Sequence, residues 1–114
     1  VIGIDTNVLV RYLAQDDEAQ SAAASRIIDG LSTELLGYIS QVVLVETVWV
    51  FVRSYKVPRA ALVEVIEMLL RTRELVIEGA DVGYLALATF RSSNADFSDA
   101  LIAHGGRLAG YRKR

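Results

Sequence analysis

Three short β-rich segments, Val1–Asp5, Leu35–Ile39 and Leu75–Glu78, are each followed by longer stretches with helical patterning. No other feature constrains the fold as strongly. Strands that alternate with helices form a parallel sheet with the helices packed on its faces, an α/β architecture. The boundaries carry their own chemistry. Asn7–Ala14 has apolar residues at Val8, Leu9, Val10, Tyr12 and Leu13, which suits a short buried helix after a turn at Thr6–Asn7. Asp16, Asp17 and Glu18 place negative charge where a second helix begins, and Gly30 is a stop. Ser40 is an N-cap for a helix from Gln41, and Pro58 belongs in the first turn of a helix reaching about Thr72. Gly79 leads into a helix through Arg91, Ser92–Asn94 interrupts, and a last helix covers Ser98–Leu108.

Gln41–Tyr55 is ambiguous by composition. Its valines favour a strand, but its length favours a helix, and helix is the expectation here. Glu46 stands in the middle of it. On a helix its neighbours three and four positions away are Val42, Val43, Trp49 and Val50, so it is expected on an apolar face without a basic partner. A buried carboxylate of that kind costs several kcal/mol unless it is paired, neutralised or bound to a metal; the plainer reading is a salt bridge from a distant residue, or a glutamate that reaches solvent at the rim.

Composition removes whole classes of function. The chain has 114 residues, no cysteine and one histidine, His104, which excludes thiolate zinc sites, cysteine nucleophiles and multi-histidine metal centres. Its formal net charge is −2, so it does not hold nucleic acid by bulk positive charge. The longest apolar stretch, Val42–Val52, is too short for a bilayer and contains Glu46. No membrane partner is expected, and the expected location is cytoplasmic.

The acids are the remaining chemistry. Asp5 ends the first strand, and open parallel sheets bind ligands beyond the carboxyl ends of their strands; the plainer role for it is capping the helix that follows. Asp96 and Asp99 flank the start of the last helix, where a capping arrangement also explains their spacing. If Asp5, Glu46 and Asp99 converge, their mutual repulsion calls for a cation. Oxygen donors without histidine or cysteine select magnesium or manganese.

The run Val1-Ile-Gly-Ile-Asp5-Thr-Asn-Val-Leu-Val-Arg-Tyr-Leu resembles the opening of a PIN domain, closest to the VapC-type toxin ribonucleases of bacterial toxin–antitoxin pairs. Val43-Leu-Val-Glu46-Thr-Val-Trp-Val-Phe resembles the family's glutamate-bearing helix, and Ala95-Asp96-Phe-Ser-Asp99-Ala-Leu-Ile-Ala its third acidic motif. The resemblance implies a sheet in the order 3-2-1-4-5 and metal-dependent cleavage of RNA. It implies Asp5, Glu46 and Asp99 as carboxylates around Mg2+ or Mn2+, with Asp96 helping directly or through water. Thr6 and Asn7 would orient the first acid and approach the phosphate, and Arg11 is a further candidate for positioning the substrate. The mechanism implied is in-line attack on phosphorus by a metal-activated water. An antitoxin protein and a second copy of the chain are the implied partners.

The resemblance implies that residues 1–114 are a single PIN-like domain, expected to be C-terminally incomplete. Ala109–Arg114 reaches the turn after which the family's fourth and fifth strands, and a fourth acid, would follow. Strand one is then expected at an open edge of the sheet. Two other functions compete: a catalytically weakened module that mainly binds its antitoxin, and an unrelated α/β phosphohydrolase with Asp5 as covalent nucleophile. Asn7, where such enzymes commonly carry a second aspartate, counts against the latter. Trp49, Phe51 and Tyr55 are expected in the core or a dimer face, His104 at a rim, and Arg112–Arg114 as a basic tail.

Overall fold

The computed structural model describes residues 1–108 and Gly110. The basic tail Arg112–Arg114 lies outside the described residues. In chain order the elements are β1 (Ile2–Gly3), α1 (Thr6–Ala14), α2 (Glu18–Asp29), β2 (Gly37–Ile39), α3 (Gln41–Arg53), α4 (Arg59–Arg71), β3 (Leu75–Ile77), α5 (Ala80–Ser92) and α6 (Phe97–Leu108). The strands form a parallel sheet in the order β1-β2-β3. This is the α/β arrangement that the alternating pattern requires, and it matches the first three strands of the 3-2-1-4-5 order. Among the described residues β1 pairs only with β2, so it is an edge strand as expected.

Register is set by the central strand. Ile2 and Gly3 face Gly37 and Tyr38, while Gly37, Tyr38 and Ile39 face Leu75, Val76 and Ile77. Gly37 is buried, and a Cβ there would come within 2.8 Å of the Leu31 side chain and 3.1 Å of both Ile4 and Leu75. The position admits no side chain without displacing three neighbours. Ile39 carries the strand into the core with Leu9 of α1, Leu44 of α3, Ile66 and Leu69 of α4, and Phe97 of α6.

Valine-rich α3 is helical because its N-terminus is satisfied twice. The Ser40 hydroxyl accepts from the Val43 amide at 3.1 Å, and Glu78 at the end of β3 accepts from the Gln41 amide at 2.8 Å. Those bonds fill two of the amides that a helix start leaves unpaired. Burial of Leu44, Thr47, Val48 and Phe51 along one face then outweighs the strand preference of valine. Gly79, next to Glu78, starts α5 with a left-handed φ of 64° that glycine adopts without strain. Pro58 occupies the N-cap of α4 rather than its first turn, one position earlier than expected.

Candidate functional site

Because all three strands run in parallel, Asp5, Ser40 and Glu78 follow the ends of β1, β2 and β3 on one edge of the sheet. Asp5 is the N-cap of α1, and its Oδ1 accepts from the Val8 amide at 2.8 Å. The capping role and a site role coexist, since the residue stays exposed and Oδ2 takes no hydrogen bond from the described residues. Thr6, the first residue of α1, donates its hydroxyl to Glu46 Oε1 at 2.8 Å. This bond crosses forty positions of sequence and joins the turn after β1 to the second turn of α3. Asp5, Thr6 and Glu46 are thus brought into one neighbourhood, and Asn7 follows on the exposed side of α1.

For Glu46 the structure selects the plainer expectation, a glutamate that reaches solvent. It is exposed, and the apolar residues around it include Val42 and Trp49, which are 67% and 56% exposed. The buried side of α3 is the opposite one. Apolar residues occur on nearly every face of this helix, so periodicity could not say which face turns inward; packing of α3 against α1 decides it. The cost of a buried unpaired carboxylate therefore does not arise, and Glu46 stands in reach of solvent and solutes.

The second pair of acids is held differently. Asp96 precedes α6, and its Oδ1 accepts from the Ser98 amide at 2.8 Å and the Ser98 hydroxyl at 2.5 Å. The Ser98 hydroxyl, aided by the Ser98 and Asp99 amides and the Arg59 charge, holds the Asp96 carboxyl below its ordinary pKa against the opposing effect of partial burial. Asp96 is therefore ionised at neutral pH. Asp99 lies exposed in the first turn of α6. A reciprocal capping box would need Asp99 to bond the Asp96 amide, and no such bond is present among the described residues.

Arg11 sits one and a half turns along α1 from Asp5, with its guanidinium 3.4 Å from Asp16 and its carbonyl accepting from Ser21. Asp16 also receives the Tyr55 hydroxyl at 2.6 Å. Arg11 thus ties α1 to the start of α2 and to the end of α3. His104 is half-buried and pairs through Nε2 with the Thr89 hydroxyl at 2.7 Å, joining α5 to α6.

Of the two places expected for Trp49, the core is excluded, because the indole is exposed, with the Arg53 guanidinium 4.9 Å above its ring. Arg59 went unremarked. Its guanidinium lies 3.8 Å over Phe90, donates to the Phe90 carbonyl at 3.0 Å, and also donates to the Ala95 carbonyl. It locks the start of α4 to the connection that presents Asp96. Its position directly after Pro58, at a helix start, was the only available signal.

The donor set suits a hard divalent ion: carboxylates with oxygens to spare, a hydroxyl, and no sulfur or imidazole. Its arrangement is partial. Although α3 and α6 touch, no three acidic or histidine side chains among the described residues are grouped to share one ion. Asp5 and Glu46 are drawn together around Thr6, and Asp99 is not drawn into a three-carboxylate cage with them.

No curated protein and no solved structure matches the chain. The PIN domain family model matches residues 2–107, from β1 almost to the end of α6. That span includes all three acidic motifs in their order and the whole parallel sheet, and on this ground the chain belongs to the PIN domain family, a family of nuclease type.

Proposed function

We propose that the chain is a metal-dependent endoribonuclease toxin of the VapC kind, neutralised by a cognate antitoxin and working as a homodimer in the cytoplasm. The observation that carries the enzymatic part is the Thr6–Glu46 bond, which connects two acidic motifs far apart in sequence at the carboxyl edge of a parallel sheet. In this reading Asp5, Glu46 and Asp99 hold Mg2+ or Mn2+, with Asp96 assisting. The ion supplies Lewis-acid stabilisation and an activated water when bound. The chain's own part is positioning. Thr6 fixes the Glu46 carboxylate, the α1 N-terminus fixes Asp5, and Thr6 and Asn7 line the approach of a phosphodiester.

Two measurements test this. Millimolar Mg2+ or Mn2+ is expected to raise the melting temperature, because a site that binds only the folded chain stabilises it. Cleavage of single-stranded RNA is expected to disappear in Glu46→Gln. RNA cleavage that persists in that variant and in Asp5→Asn rejects the nuclease site.

A second reading has one observation in its favour. The missing three-acid cage among the described residues suits a catalytically weakened module that mainly binds its antitoxin. It is distinguished by tight antitoxin binding without any metal-dependent cleavage. An unrelated phosphohydrolase is set aside by the family match.

A further inference from the structure

An open groove of about 370 Å³ runs between α3, the start of α4 and the start of α6. This lies within the range of roughly 300–1,000 Å³ common for small-ligand sites. Val45, Val52 and Phe97 make its walls apolar, and Trp49, Arg53 and Asp96 give it chemical character. Trp49 leaves a large aromatic surface in water, although the core behind it closes without it. Arg53 sits over the indole and forms no salt bridge among the described residues. Asp96 lines the groove and receives both of its Ser98 bonds on Oδ1, and no described residue lies within full hydrogen-bond geometry of its Oδ2. The Arg59 guanidinium is spent on Phe90 and the Ala95 carbonyl, and its charge favours the ionised Asp96 carboxylate beside it.

The occupant that suits these groups has three parts: a flat ring for the indole, neighbouring N–H donors for a carboxylate, and an anion for a guanidinium. A guanine nucleotide has all three, because its N1–H and N2–H2 lie side by side on the Watson–Crick edge. Adenine and cytosine place an acceptor beside their amino group, which a carboxylate repels, and uracil offers a single N–H. We propose that this groove is a nucleotide subsite selective for guanine, with the base stacked on Trp49, its donor edge on Asp96 and its phosphate on Arg53.

The proposal rests on the nuclease reading and deepens it. Trp49 follows Glu46 by one turn of α3, and Asp96 precedes Asp99 by about one turn at the start of α6. One helical turn is roughly 5 Å. On both walls the subsite is therefore next to a candidate acid, where the base beside a scissile phosphate would fall. Asp96 then acts toward the base instead of the metal.

Trp49 is the only tryptophan, so fluorescence excited at the red edge of the indole band, where the five tyrosines do not absorb, reports on this groove. The experiment titrates the chain with guanosine, adenosine, cytidine and uridine 5′-monophosphates in the presence of a chelator, so that no metal takes part. Saturable quenching is expected, with the guanine nucleotide bound roughly tenfold tighter than the adenine one, the usual scale of a hydrogen bond to a charged group. Asp96→Asn keeps a residue that caps well and should abolish that preference while the melting temperature stays put. Arg53→Ala should weaken all four nucleotides equally. Equal affinities for guanine and adenine, or a preference that survives Asp96→Asn, overturns the proposal. So does fluorescence that changes with protein concentration and ignores nucleotide, which would mean that a second copy covers Trp49. Cleavage assays on Asp5→Asn are scored separately, so a failed subsite and a failed nuclease reading give different results.

Discussion

The segments of Asp5 and Glu46 are joined by a long-range contact, the Thr6–Glu46 bond, while Asp96 and Asp99 sit together at the start of one helix. The Thr6–Glu46 bond exists only when β1, α1 and α3 are assembled, and both acids stay exposed around it. Asp96 is fastened by Ser98, two positions away, and is kept ionised with help from the Asp99 amide and the Arg59 charge. Local capping occurs at many helix starts with no function attached. A long-range polar contact between two exposed acidic segments is harder to account for by helix formation alone. The first pair thus points to chemistry directly, and the second pair does so only through the groove and the first pair.

The sharpest test of that contrast is Asp99→Asn beside Glu46→Gln. Each should lower RNA cleavage on the order of 100-fold or more if α6 completes the site, a loss typical of removing a preorganised charge-stabilising group. A full loss in Glu46→Gln with normal cleavage in Asp99→Asn would make the working site the Asp5–Glu46 pair alone.

Next in size is stability in the α6 half. Phe97 is 2% exposed and meets Phe90 edge-on with centroids 5.8 Å apart. Phe97→Ala should cost about 3–5 kcal/mol in urea unfolding. A cost below about 1 kcal/mol would show that α6 is not part of the cooperative core.

Thr6→Val removes one hydroxyl from an exposed bond. It should reduce cleavage about tenfold with little change in melting temperature, the scale of a single hydrogen bond to a charged group. Unchanged cleavage would mean that Glu46 is held without Thr6.

The smallest effect concerns acid. The Tyr55 hydroxyl, with help from Arg11, holds Asp16 below the ordinary carboxylate pKa. A depressed carboxylate contributes stability that is present above its unfolded pKa and is lost as pH falls through its folded one. Tyr55→Phe should therefore flatten the fall in melting temperature below about pH 4, the ordinary range for aspartate. An unchanged acid limb in that variant would remove the Tyr55–Asp16 bond from the account.

Much of the fold was legible because local rules and tertiary structure agree. Ser40, Asp17 and Gly30 mark helix ends where their chemistry puts them. The strands were read slightly too long, as Val1–Asp5 and Leu35–Ile39, because β propensity extends past the residues that find a partner; the bonds between β1 and β2 begin with the Ile2 amide on the Leu36 carbonyl and end with the Ile4 amide on the Tyr38 carbonyl. Asp5 was legible from its place after a strand. The exposure of Glu46 was not, because α3 is apolar on almost every side and only its neighbours select the buried one. Thr6 was read as orienting the first acid and approaching the phosphate, and the structure adds a bond from its hydroxyl to Glu46, a pairing no local pattern encodes.

Gly37 puts a limit on how this molecule can vary. With the Leu31 side chain lying against the first residue of the central strand, a methyl group there would press on Leu31, Ile4 and Leu75 together, and each would have to move aside. In a library randomised at every position and sorted for folded protein, residue 37 should return glycine and the smallest side chains, while the exposed positions around Trp49 tolerate broader replacement. Sites of that first kind record how tightly the scaffold is built, and they say nothing about what it cuts or grips.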